Sequence, residues 1–226
     1  MRSEDFAAEL KRNGLAVFTI EDAAKLLLKP KAYISHYLSR NHHVVRLERG
    51  KYALRSVQNI NTIASHIVQP SYVSLSSAMR FYNLTTQLPH TVFVVSTRRH
   101  RGIKNLLGYD VKFRTVNKRL MFGYRTVHGA NMATVEKAML DSLYFDKNIY
   151  AIKEEFEKAI LLKRIDIAVL KRYAIEMSNR NLINVLGFLL ERNGMVVDDL
   201  IGYRSRNYVK AFPNARKRNS RWRVLY

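Results

Sequence analysis

The chain has 226 residues, no cysteine and a formal net charge of +21, from 39 Lys and Arg against 18 Asp and Glu. Its 47% hydrophobic content is enough for a packed core, and the lack of cysteine excludes disulfides, cysteine zinc sites and a cysteine nucleophile. No stretch approaches the roughly 18 apolar residues of a membrane span, and the first five residues lack the apolar run of a secretion signal. We expect a cytoplasmic protein without membrane contact, and the charge indicates a nucleic-acid partner.

The positive charge is distributed unevenly along the chain. The net charge is +5 over residues 1–55, +8 over 56–150, zero over 151–200 and +8 over 201–226. Such a distribution favours separate binding faces on a neutral scaffold. We therefore expect an N-terminal domain, 1–55, followed by an α+β part, a helical part and a basic tail.

The first 40 residues predict three short helices. Residues 3–13 carry an apolar stripe that ends at Asn13-Gly14. Thr19 is a good N-cap for a second helix, to which Asp22 returns the capping bond. Pro30 suits the first turn of a third helix that ends at Arg40.

The outer face of the third helix is small, polar and basic, which fits the major groove of DNA. His36 and Arg40 can reach base edges there, and Ser35 or nearby lysines can reach phosphates. A hairpin over residues 44–54 carries cations at its tip. Three helices followed by a basic hairpin is the order of a winged helix-turn-helix. The predicted DNA contacts are Lys29, Lys31, Ser35, His36, Arg40, Arg46, Arg49 and Lys51. The alternative is a small helical domain whose exposed helix is merely solvated.

Residues 56–150 predict a small mixed α/β unit. Its strands look too few and too short for a doubly wound sheet. Two of its predicted helices cover residues 58–66 and 134–145. A third begins within Tyr72–Ala78 and has Ser74 as its N-cap. The predicted strands cover residues 92–97, 110–115 and 119–127.

The remainder predicts three helices, over residues 151–163, 166–178 and 179–193, and then a tail that interleaves aromatics with cations. The tail aromatics Tyr208, Phe212 and Trp222 either stack on bases or anchor the tail to the core. A cationic run follows the predicted strand 92–97. Together with this run, the tail forms a predicted second basic surface for DNA or a partner. Its residues are Arg98, Arg99, Arg101, Lys104, Arg204, Arg206, Arg216, Lys217 and Arg218.

A series of motifs in the middle of the chain resembles a known family. These motifs are Tyr72–Ala78, Gln87-Leu88-Pro89, the strand ending at Thr97 with its basic run, Phe122-Gly123, and Ala133–Asp141. Their order and spacing resemble the AbiEi family of antitoxins, which belong to abortive-infection toxin–antitoxin systems of bacteria and archaea. The resemblance covers about residues 5–150, and Thr134–Asp141 is its most specific piece.

The resemblance implies two activities. The N-terminal winged helix would bind operator DNA as an autorepressor, and residues 56–226 would be an antitoxin domain that counteracts a cognate nucleotidyltransferase toxin. Residues 151–226 match the family less clearly. A homodimer that reads an inverted repeat is compatible with this function.

Enzyme chemistry has little support in the sequence. The seven histidines show no zinc-binding spacing and no phosphate-binding glycine loop is present, so we expect no metal, no cofactor and no catalytic residue. A metal-dependent nuclease using Asp110, Glu136 and Lys137 is one alternative, although adjacent residues on a helix point about 100° apart. A non-specific architectural DNA- or RNA-binding protein is another.

Overall fold

The computed structural model describes residues 3–85, 90–145, 149–212 and 214–226, which form a mixed α+β protein. The Gln87-Leu88-Pro89 motif lies outside these residues. No described helix combines the length and the apolar composition that crossing a bilayer requires.

Residues 3–54, which we call the N-terminal module, have a hydrophobic cluster of their own. It includes Phe6, Leu10, Phe18, Ile34 and Leu38. Its elements are α1 (Ser3–Arg12), β1 (Val17–Thr19), α2 (Ile20–Leu27), α3 (Lys31–Arg40), β2 (Val44–Glu48) and β3 (Lys51–Leu54). The three strands form an antiparallel sheet in the order β1-β3-β2. The three predicted helices and the hairpin are therefore confirmed.

A six-stranded mixed sheet forms the centre of the molecule, with the order β6-β7-β5-β4-β9-β8. Its strands are β4 (Ser71–Val73), β5 (Thr91–Ser96), β6 (Ile103–Leu106), β7 (Tyr109–Thr115), β8 (Tyr124–Val127) and β9 (Ala130–Ala133). The predicted strands overlap only β5, β7 and β8. The other three, β4, β6 and β9, have three or four residues each and were not predicted. The start of the strand predicted over 119–127 is instead part of a 3₁₀ helix, Lys118–Leu120.

Helices cover both faces of this sheet. They are α4 (Ile60–Ile67), α5 (Leu75–Phe81), α6 (Val135–Phe145), α7 (Tyr150–Leu161), α8 (Ile167–Glu176) and α9 (Arg180–Arg192). Successive residues of a strand point to opposite faces, and β4 shows which helix covers each face. Ser71 Oγ donates to the Ser65 carbonyl of α4 (2.9 Å), whereas Tyr72 Oη donates to Asp141 Oδ2 of α6 (3.0 Å).

A buried ion pair lies between the sheet and α6. Lys137 Nζ contacts Asp141 Oδ1 one helical turn away, and both side chains are almost completely buried. Ser74 occupies the predicted N-cap position of α5, but it makes no capping bond; its Oγ donates to Asp141 Oδ2 (2.7 Å). Burial raises the pKa of Asp141, while Lys137 and the two hydroxyls oppose this shift. Gly123 packs on this pair at φ 69°, where an added Cβ would lie 2.9 Å from Lys137 Cβ.

The predicted basic tail is a folded unit. A 3₁₀ helix, Asp198–Tyr203, leads into β10 (Val209–Lys210), β11 (Arg218–Asn219) and β12 (Val224–Leu225), which pair in the order β10-β12-β11. We call these three strands the C-terminal sheet. Trp222 is fully buried and belongs to the same hydrophobic cluster as the central sheet. The sequence did not predict the strands because each has only two residues.

Candidate nucleic-acid interface

The outer face of α3 is open to solvent. Ile34 and Leu38 point into the core of the N-terminal module and fix the orientation of the helix. The opposite side carries the exposed residues Ala32, Ser35, His36, Ser39 and Arg40, and Lys31 is exposed at the beginning of the helix. Tyr33 is 53% exposed and stacks on Tyr37 with ring centroids 6.3 Å apart. Tyr33 was not among the predicted contacts, although its position about 20° from Arg40 on the helical wheel could have shown that it lies at the edge of the outer face.

Local capping interactions position α2 and the turn before α3. The predicted capping box is present: Thr19 Oγ1 accepts from Asp22 N (3.1 Å), and Asp22 Oδ2 accepts from Thr19 N (2.8 Å). Lys31 Nζ lies 2.6 Å from Glu21 Oε1, which joins the start of α3 to the start of α2 and lowers the pKa of Glu21. Lys31 is thus engaged within the module, whereas Lys29 is exposed and forms no ion pair with any described residue.

The hairpin β2–β3 presents two exposed arginines and one paired lysine. Arg46 and Arg49 are exposed, and Arg46 Nε donates to the Glu48 carbonyl at an irregularity in the strand pairing (3.3 Å). Lys51 Nζ lies 2.8 Å from Glu48 Oε1, with only about a quarter of its side chain exposed. The Glu48 carboxylate therefore neutralises part of the Lys51 charge before any ligand binds.

His100 ties the hairpin to the basic run that follows β5. Its Nε2 lies 3.0 Å from Glu48 Oε2, and its Nδ1 accepts from Gly102 N (3.0 Å), which leaves Nε2 to carry the proton toward Glu48. The ring packs on Phe113, with centroids 4.6 Å apart. Burial raises the pKa of Glu48, but Lys51 and His100 outweigh burial and the net shift is downward.

The hairpin and the basic run line one cleft between two sheet edges. Strand β2 is the edge of the N-terminal sheet and β6 is the edge of the central sheet. Two adjoining grooves, of about 480 and 640 Å³, lie between these edges and share Leu47, Ile103 and Lys104. Their cationic lining consists of Arg46, Arg49, Arg55, Arg101, Lys104 and Lys112, with Glu48 and Asp110 as the acidic residues. Arg55 and Lys112 were not predicted, since nothing in the sequence indicates that these edges face each other.

The other two arginines of the run lie on a different side of the same loop. Arg98 and Arg99 are exposed and line a groove of about 460 Å³ with Thr19, Asp22 and Lys51. The loop therefore contributes cations on both sides of its His100 contact. The cleft and this groove therefore bring together two predicted sets of cations. They are the hairpin residues Arg46, Arg49 and Lys51 and the basic run Arg98, Arg99, Arg101 and Lys104.

The remaining residues of the predicted second surface form a separate group. Arg206, Arg216, Lys217 and Arg218 are exposed and Arg204 is half-buried, all in or beside the C-terminal sheet, which packs on α9. Within the described ranges, no hydrogen bond or ion pair joins residues 201–226 to the N-terminal module. These residues thus lie beside a different sheet from the basic run that follows β5.

The residues of the nuclease alternative each have a local partner. Glu136 Oε1 accepts from Asp166 N (2.9 Å), and Asp110 Oδ1 accepts from Asn105 N (3.1 Å). Lys137 is fully buried against Asp141. Among the described residues, no three His, Asp or Glu side chains come together in a group that could hold a metal ion.

No protein-family model matches the chain, and no curated protein matches it significantly.

Proposed function

We propose that the chain binds duplex DNA through α3 and the β2–β3 hairpin, arranged as a winged helix-turn-helix, and that it acts as the autorepressing antitoxin of a toxin–antitoxin pair. The observation that carries the proposal is the outer face of α3, which is exposed, polar and cationic while Ile34 and Leu38 hold its other side in the core. A free helix face of this kind is what a major groove, about 12 Å wide, admits.

The charges around α3 fit the phosphates on either side of such a groove. His36 and Arg40 have the length and donors to reach base edges, and the exposed Ser35 and Lys29 would contact phosphates. The hairpin and the β2–β6 cleft extend the cationic area beyond one groove, with Arg49 and Arg101 exposed along it. Phosphate contacts hold the orientation and the α3 side chains supply the sequence preference.

The resemblance of the middle of the chain to AbiEi antitoxins supports the biological role. In that role the DNA ligand is the operator of the chain's own gene, and a homodimer reads an inverted repeat. Residues 56–226 counteract a cognate nucleotidyltransferase toxin, and the protein works in the cytoplasm without a cofactor. The accessible face of α3 and its cations do not depend on this resemblance.

Binding to the DNA upstream of the chain's own gene tests the proposal. We expect the Arg40→Ala, Arg49→Ala double variant to bind this duplex at least tenfold more weakly, because a bidentate base contact alone is worth about 1–3 kcal/mol. The matched control is Arg164→Ala, Arg180→Ala, which removes two exposed arginines from the electrically neutral part of the chain. Equal affinity of the two double variants would contradict the proposed surface.

A random-sequence duplex of the same length separates repression from general DNA binding. The unaltered protein should prefer the upstream DNA by about 10³-fold or more. Equal affinity for both duplexes would favour an architectural protein over a repressor.

The antitoxin role is tested in cells that express the neighbouring open reading frame. Co-expression of the chain should restore growth, and the Arg40→Ala, Arg49→Ala variant should restore it equally, since antitoxin action is assigned to residues 56–226. Growth arrest that persists with the unaltered chain would contradict the role.

A further inference from the structure

The C-terminal sheet has two faces of different character. Val209 and Asn219 both pair with Val224, which is buried, so these residues face the core. Lys210 and Arg218 both pair with Leu225 and are exposed. Since paired residues point to the same side, Lys210, Leu225 and Arg218 form a row across the outer face.

The inner face is fixed by the body of the protein. Trp222 packs on Gly187 of α9, where an added Cβ would overlap the indole ring, and its Nε1 donates to Glu191 Oε2 (3.0 Å). Asn184 Oδ1 also accepts from Ser205 N (2.6 Å) at the beginning of the unit. These contacts make the sheet a rigid support for its outer face.

An aromatic ring lies next to the cationic row. Tyr208 precedes β10 and Ser220 follows β11, so both lie on the outer face on opposite sides of β12. Tyr208 Oη donates to Ser220 Oγ (3.3 Å), and the bond spans the strand between them. The ring therefore lies across the sheet, held at its tip, with 41% of the residue exposed.

The charge of this face is of one sign. Residues 201–226 contain eight Lys and Arg and no Asp or Glu. The neighbouring carboxylates Asp198 and Glu191 pair with Arg221, and Glu191 also holds Trp222. Neither Lys210 nor Arg218 forms an ion pair with any described residue, so the charges of both are available on the outer face.

We infer that the outer face of the C-terminal sheet binds single-stranded nucleic acid, separately from the duplex surface of the N-terminal module. A base stacks on the Tyr208 ring, and the flanking phosphates contact Lys210 and Arg218. An exposed aromatic ring beside cations on a sheet is the arrangement that binds unpaired bases, whose faces are hidden inside a duplex. Neighbouring strands are about 4.8 Å apart, so the two cations lie on strands about 10 Å apart and can contact different phosphates. An acidic polypeptide would match the cations but leave the ring without a partner.

Fluorescence anisotropy with the full chain and labelled 15-nucleotide oligouridine and oligothymidine tests this inference, with a 15-base-pair duplex as the reference ligand. We expect Tyr208→Ala to weaken single-strand binding about tenfold or more and to leave duplex binding unchanged. Tyr208→Phe is the matched control, because it loses the bond to Ser220 but keeps the ring, and it should bind single strands as the unaltered protein does. Comparison of the RNA and DNA oligomers identifies which single strand is preferred.

Three results would overturn the inference. The first is single-strand affinity that is unchanged in Tyr208→Ala or equally reduced in Tyr208→Phe. The second is a loss of duplex binding equal to the loss of single-strand binding. The third is displacement of the oligonucleotide by poly-glutamate at matched charge concentration, which would indicate an acidic protein ligand. Because Arg40→Ala, Arg49→Ala alters only duplex binding, failure of this inference is distinguishable from failure of the proposed operator surface.

Discussion

The N-terminal module and the C-terminal sheet both carry a positive charge excess, but they are attached to the rest of the protein in different ways. The module has its own hydrophobic cluster, built around Phe18 and Ile34, and it reaches the central sheet through contacts that include the Glu48–His100 bond. Among its described residues the C-terminal sheet has no separate cluster, and Trp222 is buried in the core of the body. Charge alone therefore does not show whether a basic segment folds independently.

The largest expected effect comes from removing the anchor of the C-terminal sheet. Trp222→Ala should cost about 3–5 kcal/mol of unfolding free energy, because it leaves a cavity against α9. At this chain length each kcal/mol corresponds to about 2–4 °C, so the main thermal transition should fall by about 6–20 °C. Calorimetry measures the shift, with the exposed Tyr208→Ala as control. A transition that stays in place would mean that the sheet is not part of the body's core.

The equivalent change in the N-terminal module should have a local effect. Phe18→Ala should also cost about 3–5 kcal/mol, but the loss should be confined to residues 3–54. Hydrogen exchange should show faster exchange of the α2 and β3 amides and unchanged exchange in α9. Acceleration throughout the chain would show that the two regions unfold as one unit.

A smaller, pH-dependent effect is expected at the contact between the module and the body. The folded pKa of Glu48 is lowered, so its charged form stabilises the fold above its unfolded pKa, about 4.3, and this contribution is lost as the pH falls through the folded value. Glu48→Gln should cost about 1 kcal/mol at pH 7 and progressively less below pH 4. Melting temperatures from pH 7 to pH 3 measure this difference. Glu21→Gln, at an exposed pair, should change little at any pH; a constant deficit for Glu48→Gln would contradict the assigned ion pair.

The smallest expected effects are on salt dependence. Arg49→Ala should reduce the slope of log affinity against log salt by about 0.9 for duplex DNA, and Arg218→Ala should reduce it by about 0.7 for a single strand. Each variant should leave the slope for the other ligand unchanged. A change in both slopes from one substitution would show that the two basic surfaces act as one.

Local features of the fold could be predicted from the sequence. The capping residues Thr19 and Asp22, the stripe at Ile34 and Leu38, and the hairpin over residues 44–54 each depend on neighbours within a few positions. The outer face of α3 followed from the same periodicity. The short strands β4 and β10 could not be predicted in this way, because they pair with strands far along the chain.

The sequence by itself determined the charge, the helices and the candidate contact face of α3, since helical periodicity and capping are local properties. Only the tertiary structure decided which cations share a surface. Glu48 and His100 are 52 residues apart, yet their bond brings the hairpin and the basic run to one cleft. Trp222 is packed on Gly187, so an apparent tail is a sheet with one buried face and one cationic face. Both results depend on long-range packing, where burial of apolar surface outweighs local preference.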